Sequence, residues 1–157
     1  MSFLKKFLSS ALILSLILCA CPIAYAADTP EEIVYVEDLG NDVTVKTTIT
    51  VYPKVTRDKY TTAISTSGFT RGGKWIATVS LQATFMYNSI VAGVTGTTYS
   101  KSLASGWSYT NHKITTTTVS SSNGGTATLT ATLKDFPVNV PVRLSLHCSP
   151  NGTVTRG

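Results

Sequence analysis

Between Trp75 and Tyr87 every second residue is apolar or aromatic: Trp75, Ala77, Val79, Leu81, Ala83, Phe85 and Tyr87. Thr78, Ser80, Gln82 and Thr84 stand between them, with Ile76 and Met86 as exceptions. Successive side chains of an extended chain point to opposite sides, so this segment reads as a strand that is dry on one face and wet on the other. The alternation recurs at Val43, Val45, Thr47, Ile49 and Val51. It returns at Ala127, Leu129, Ala131 and Leu133, with Thr126, Thr128, Thr130 and Thr132 in the opposite row. No apolar stripe of helical period matches these beyond residue 26, which confines the body of the chain to all-β folds.

Turn chemistry divides the strands. Ser67-Gly68 and Gly72-Gly73 precede the Trp75 strand, and Ser121 to Gly125 separates a strand expected over 107–119 from the threonine strand. Asp135-Phe136-Pro137 closes the latter. Pro137 and Pro141 lack an amide donor, so the segment between them is expected at a sheet edge or in a loop before a last strand, Val142 to Cys148. About seven strands with short turns and no crossover helix point to an antiparallel β-sandwich of immunoglobulin-like or jelly-roll type, with a closed barrel as second choice.

The first 26 residues are of another kind. Lys5 and Lys6 precede an apolar run from Phe7 to Ala20, and Ala24-Tyr25-Ala26 supplies small residues before Ala27. This is the pattern of a secretory signal peptide cut between Ala26 and Ala27, with an apolar run too short for a membrane-spanning helix. A competing reading takes Leu18-Cys19-Ala20-Cys21 as a lipobox that would leave lipid on Cys21. Cys19 in its middle and Pro22 after it are unusual there, and the Ala26 site is better formed. The mature chain is therefore expected to be secreted, with no transmembrane segment. Its organisation is read as a signal peptide (1–26), a flexible acidic segment (27–42) and a single β domain (43–157), long enough to bury a core without metals or disulfides.

Charge is distributed unevenly. The chain has 13 Lys and Arg against 8 Asp and Glu. Six of those acids precede Val43, leaving Asp58 and Asp135 in the body. An acidic leader thus precedes a basic body, which suits anionic partners such as acidic polysaccharide, teichoic acid or lipid head groups. The bases form no cluster and export argues against nucleic acid, so none is expected as partner. Cys148 is the lone thiol of the mature chain and shares its parity with Val140, Val142, Leu144 and Leu146. It is read as a buried small hydrophobe.

Candidate chemistry is sparse. His112 and His147 are the only histidines, and the remaining metal-ligating types are scattered, so no metal site and no cofactor are expected. There is no Gly-x-Ser-x-Gly elbow, and the glutamates all lie in the acidic leader, away from any paired-carboxylate geometry. The threonine column is ordinary wet-face composition; an ice-binding array would need an internal repeat, and none is visible. Trp75, with its long apolar row, is assigned to the core. Trp107, Tyr109, Asn111 and Lys113 share one parity and are polar enough to form a surface, so they are the candidate ligand-binding row.

The Trp75 to Tyr87 segment, the Ser105-Gly106-Trp107 step, the strand starting at Gly125 and the ending from Val140 to Gly152 resemble small exported β-rich proteins of Firmicutes, clostridia above all. The likeness spans about residues 73 to 152. It implies a second cysteine between positions 87 and 97 that pairs with the one before Ser149-Pro150-Asn151-Gly152; this chain has Val91 and Val94 there and no cysteine. The likeness carries no activity over to this chain. The expectation is a secreted, non-enzymatic β-sandwich that binds a cell-envelope or extracellular ligand such as a glycan, the alternative being a bacteriocin- or toxin-like protein acting on neighbouring membranes.

Overall fold

The computed structural model describes residues 29–52, 59–117 and 122–157. The segment read as a signal peptide, Cys21 and the expected cleavage site at Ala26–Ala27 lie outside the described residues. Nine strands occur among those described: β1 (Glu31–Gly40), β2 (Val43–Tyr52), β3 (Tyr60–Arg71), β4 (Lys74–Tyr87), β5 (Ala92–Leu103), β6 (Ser108–Thr116), β7 (Gly125–Asp135), β8 (Val138–Cys148) and β9 (Val154–Arg156). They form a five-stranded sheet, β1-β2-β3-β4-β5, and a four-stranded sheet, β6-β7-β8-β9, with every pairing antiparallel.

The architecture is the expected β-sandwich and does not close into a barrel. Within each sheet the strands lie in chain order, without the Greek-key interleaving of immunoglobulin and jelly-roll sandwiches. Residues 104–107 carry the chain from one sheet to the other. No helix among the described residues is long and apolar enough to cross a membrane.

Local chemistry accounts for the hairpins. Arg71 pairs with Lys74 across Gly72-Gly73, both at positive φ, which is the two-residue turn whose twist matches that of the flanking strands. Asn41-Asp42 joins β1 to β2 in the same way, and Asn and Asp are the non-glycine residues that best tolerate positive φ. The core lies where the inner faces meet: Ile49, Ala63, Phe69, Val79, Leu81 and Phe85 from the larger sheet against Leu129, Leu133, Leu144 and Leu146 from the smaller. Near one end the sheets close so tightly that a Cβ on Gly125 would lie 2.8 Å from Gly93 Cα. There Val94 N–H donates to the Thr117 carbonyl at 2.9 Å.

Four expectations need correction. The acidic segment is largely β1, an edge strand in register with β2 from Glu31↔Val51 to Gly40↔Val43, because Ile33 and Tyr35 pack against the core. Glu37 on its inner side forms a bidentate pair with Arg156 of β9, with Nη2 to Oε2 at 3.0 Å, and the Arg156 guanidinium lies 5.3 Å from the Tyr35 ring centre. Trp75 is outside the core. An extra residue in β4, Ile76, shifts the register between Phe69↔Ala77 and Thr70↔Trp75, so Ile76 is buried and Trp75 is 47% exposed. The Trp75 indole N–H donates to Thr78 Oγ1 at 3.0 Å on the outer face.

Pro141 is inside β8, which begins at Val138, and is not a residue that precedes the last strand. Gly157 N–H donates to the Ser145 carbonyl, so by alternation Pro141 turns its donor-less nitrogen away from β7 toward the free edge of β8. The short strand β9 after Cys148 is the fourth difference. Cys148 itself is fully buried, as its parity predicts.

Candidate functional site

β5 and β6 are the edge strands of the two sheets on the same side of the sandwich, joined by the 104–107 connection at one end and by the Val94–Thr117 hydrogen bond at the other. Between these ties the edges diverge into a mouth. Tyr99 and Lys101 of β5 share the inner parity, opposite Leu81 and Val79 of β4, yet both are exposed because no strand covers them. Tyr109 of β6 lies opposite Leu133 of β7, faces inward and packs against the core.

The mouth gathers three rings and an ammonium group. Tyr99 and Tyr109 stack with centroids 6.4 Å apart and planes 20° from parallel. His112 lies 5.2 Å from Tyr99 and 5.9 Å from Tyr109. Lys101 Nζ sits 4.5 Å from the Tyr109 ring centre, within cation–π range. The Tyr109 hydroxyl is buried and finds no hydrogen-bond partner among the described residues. Burial pushes its phenol pKa above the usual tyrosine value, with a smaller contribution from neighbouring Tyr99.

A bulge places His112 there. Thr110 pairs with Thr132 and Lys113 with Thr130, so Asn111 and His112 together oppose Ala131 alone. Asn111 takes φ +56° to make the turn. Beyond it the parity of β6 is reversed, and Ile114 faces the core as Tyr109 does although five positions separate them.

This divides the row expected from the sequence. Tyr109 lines the mouth, and Trp107 is half-buried against the core at the entry to β6, its N–H bonded to the Ala104 carbonyl. Asn111 is the pivot of the bulge, and Lys113 is on the outer face of the four-stranded sheet beside Thr130. Tyr99, Lys101 and His112 complete the cluster; the first two were not singled out from the sequence, and His112 was weighed there as a metal ligand. Tyr99-Ser100-Lys101 lies in a strand without apolar alternation, and His112 carried no signal because its neighbours in sequence are polar.

Tyr99 also belongs to a shallow trough of about 340 Å³ on the outer face of the five-stranded sheet, lined by Ile64, Thr66, Ser80, Gln82, Thr98 and Ser100. Thr66 and Ser80 hydroxyls are 2.9 Å apart in its floor. A separate cleft of about 320 Å³ lies at the opposite edge of the sandwich, beside the Glu37–Arg156 pair, with Phe69 and Leu39 in its wall. No group of three or more His, Cys, Asp or Glu converges among the described residues. Comparison with family models, curated proteins and solved structures finds no match to this chain.

What the mouth can do follows from its groups. Ring faces stack on the apolar faces of sugars or other planar ligands, an ammonium group and an imidazole supply polar contacts, and a buried phenol without a partner can satisfy a ligand's donor or acceptor.

Proposed function

We propose that this chain is an exported, non-enzymatic β-sandwich that binds a glycan of the cell envelope or extracellular matrix at the β5–β6 mouth. The observation that carries the reading is the convergence of Tyr99, Tyr109 and His112 from two sheets, with the Tyr109 hydroxyl lacking a partner among the described residues. Aromatic faces beside an ammonium group, an imidazole and a buried phenol are a composition that suits carbohydrate recognition: stacking for affinity, and a few placed polar groups for orientation.

A glycan array and pull-downs on purified peptidoglycan and wall teichoic acid test it, against a control protein of equal charge. Retention above the control is expected, with a loss of at least about ten-fold in Tyr99→Ala and His112→Ala, as befits removal of a central aromatic contact. Retention no better than the control ends this reading. Unchanged binding by Trp107→Ala would remove that residue from the contact while leaving the mouth in place.

One observation favours the alternative of action on membranes. Phe136, at the β7–β8 turn, is 98% exposed and lies two residues from Lys134. Dye release from anionic vesicles tests this second reading, and its absence together with no growth inhibition of related bacteria rejects it.

A further inference from the structure

Among the described residues, no Asp or Glu side chain lies on the outer face of the four-stranded sheet. Its outward positions are those that alternate with the core residues of β6 to β9, and they hold hydroxyls, Asn139, Pro141 and His147 around three cations, Lys113, Lys134 and Arg143. All three cations are exposed, and none of them forms an ion pair among the described residues; that role falls to Arg156 with Glu37. Asp135, the only acid of β7, lies on the inward parity opposite Val138. Of the acids of the described N-terminal segment, Glu31, Glu32, Glu37 and Asp38 sit on β1 and Asp42 in the turn after it; Glu37, already paired with Arg156, comes nearest, in the wall of a cleft that Arg143 also lines.

The arrangement is regular. Lys113, Thr130 and Arg143 stand side by side on three adjacent strands, so the two cations leave backbones about 10 Å apart, twice the inter-strand spacing. Lys134 stands four residues from Thr130 along β7, a distance of about 14 Å. Between the charges lie the threonines Thr130 and Thr132.

We propose that this face binds an anionic polysaccharide whose negative charges are well separated, of the kind with one carboxylate per disaccharide. The positive field draws the polymer in, and hydroxyls between the cations meet the sugar hydroxyls. Duplex DNA fits poorly, because its charges recur about every 1.7 Å along the helix axis and call for a denser set of cations. A lipid surface fits less well, since interfacial binding rests on inserted apolar side chains, and among the described strand residues Pro141 is the only apolar outward one of this face, with Phe136 at the β7–β8 turn as the one exposed ring beside it. The inference extends the glycan reading to a second surface and rests on it only for the ligand being a polysaccharide.

The test uses hyaluronan oligosaccharides, neutral dextran of matching length, a DNA duplex and anionic phosphatidylserine vesicles as probes of the secreted protein. Hyaluronan is expected to bind and to weaken as salt is raised, because the contacts are exposed charges. Lys113→Ala combined with Arg143→Ala is expected to weaken it at least ten-fold, with a smaller loss for Lys134→Ala and an unchanged unfolding midpoint, since exposed substitutions of this kind leave stability almost unaffected. Hyaluronan binding that is absent, or equal in wild type and the double variant, overturns the proposal, as does preference for DNA or vesicles. Failure of the glycan reading gives a different pattern: no retention on the glycan array, peptidoglycan or teichoic acid that Tyr99→Ala or His112→Ala weakens, while hyaluronan binding through Lys113 and Arg143 persists.

Discussion

Tyr109 shares its parity with Trp107, and both face the core and not the outer surface. Its ring belongs to the core and its hydroxyl is left buried without a partner among the described residues, an arrangement that costs stability of order 1–3 kcal/mol. Tyr109→Phe is therefore expected to raise the unfolding free energy by about 1 kcal/mol in urea titrations while lowering ligand affinity. A variant less stable than wild type would show that the hydroxyl is satisfied in solution. The same burial has a pH signature. A phenol whose folded pKa lies above the ordinary value near 10 contributes its full stability below that value and loses it as pH climbs through the folded one. Absorbance at 295 nm should show one tyrosine ionising later than the rest, and its absence in Tyr109→Phe assigns it. Cys148 gives a second residue-scale expectation: its side chain is fully buried and out of reach of a reagent in the native fold, so a maleimide should label it only after denaturant is added. Rapid labelling of the native protein would contradict the burial.

At the scale of strands, the bulges decide what was legible. Alternation identified β2, β4 and β7 because their inner faces are apolar and their outer faces polar. β3 was weak: its buried row reads Thr61, Ala63, Ser65, Ser67 and Phe69, so hydroxyls occupy dry positions, with Thr47 and Ser67 satisfying each other at 2.7 Å. β5 was weaker still, since its second half leaves the core. Where a strand gains one residue, parity inverts without a sign in composition, which is why Trp75 and the Trp107 to Lys113 row were misplaced at Ile76 and at Asn111-His112. The second bulge makes a prediction. Asn111 holds φ +56°, a conformation that a β-branched side chain adopts at a cost of about 1–2 kcal/mol. Asn111→Val should lose that much stability and weaken glycan binding through misplacement of His112, whereas Asn111→Gly should preserve both. Equal stabilities of the two variants in urea would mean that the bulge relaxes to a regular ladder.

At the scale of the whole molecule, the Glu37–Arg156 clasp joins the first strand to the last and closes the edge opposite the mouth. The hydrogen bonds from Arg156 hold the Glu37 carboxyl below its ordinary pKa. A depressed carboxyl contributes stability above its unfolded value, near 4.3, and that contribution is lost as pH falls through the folded value. Both side chains are more than a third exposed, so the effect is at most about 1 kcal/mol and is screened by salt. Wild type should thus lose slightly more stability than Glu37→Gln between pH 7 and pH 3 at low ionic strength, and the difference should vanish in 1 M salt; parallel curves would exclude a role for the clasp.

The connection at 104–107 has a consequence for how copies of this chain meet one another. Each described strand pairing lies wholly before or wholly after it, and the halves are bound by side chains with few backbone links such as Val94–Thr117 and Ser89–Pro150. If that connection opened as a hinge, a five-stranded half could dock on the four-stranded half of a neighbour and recover the same core, leaving every ladder intact. The four-residue crossing is thus the place where lengthening or stiffening the chain would set the balance between a closed monomer and an exchanged dimer.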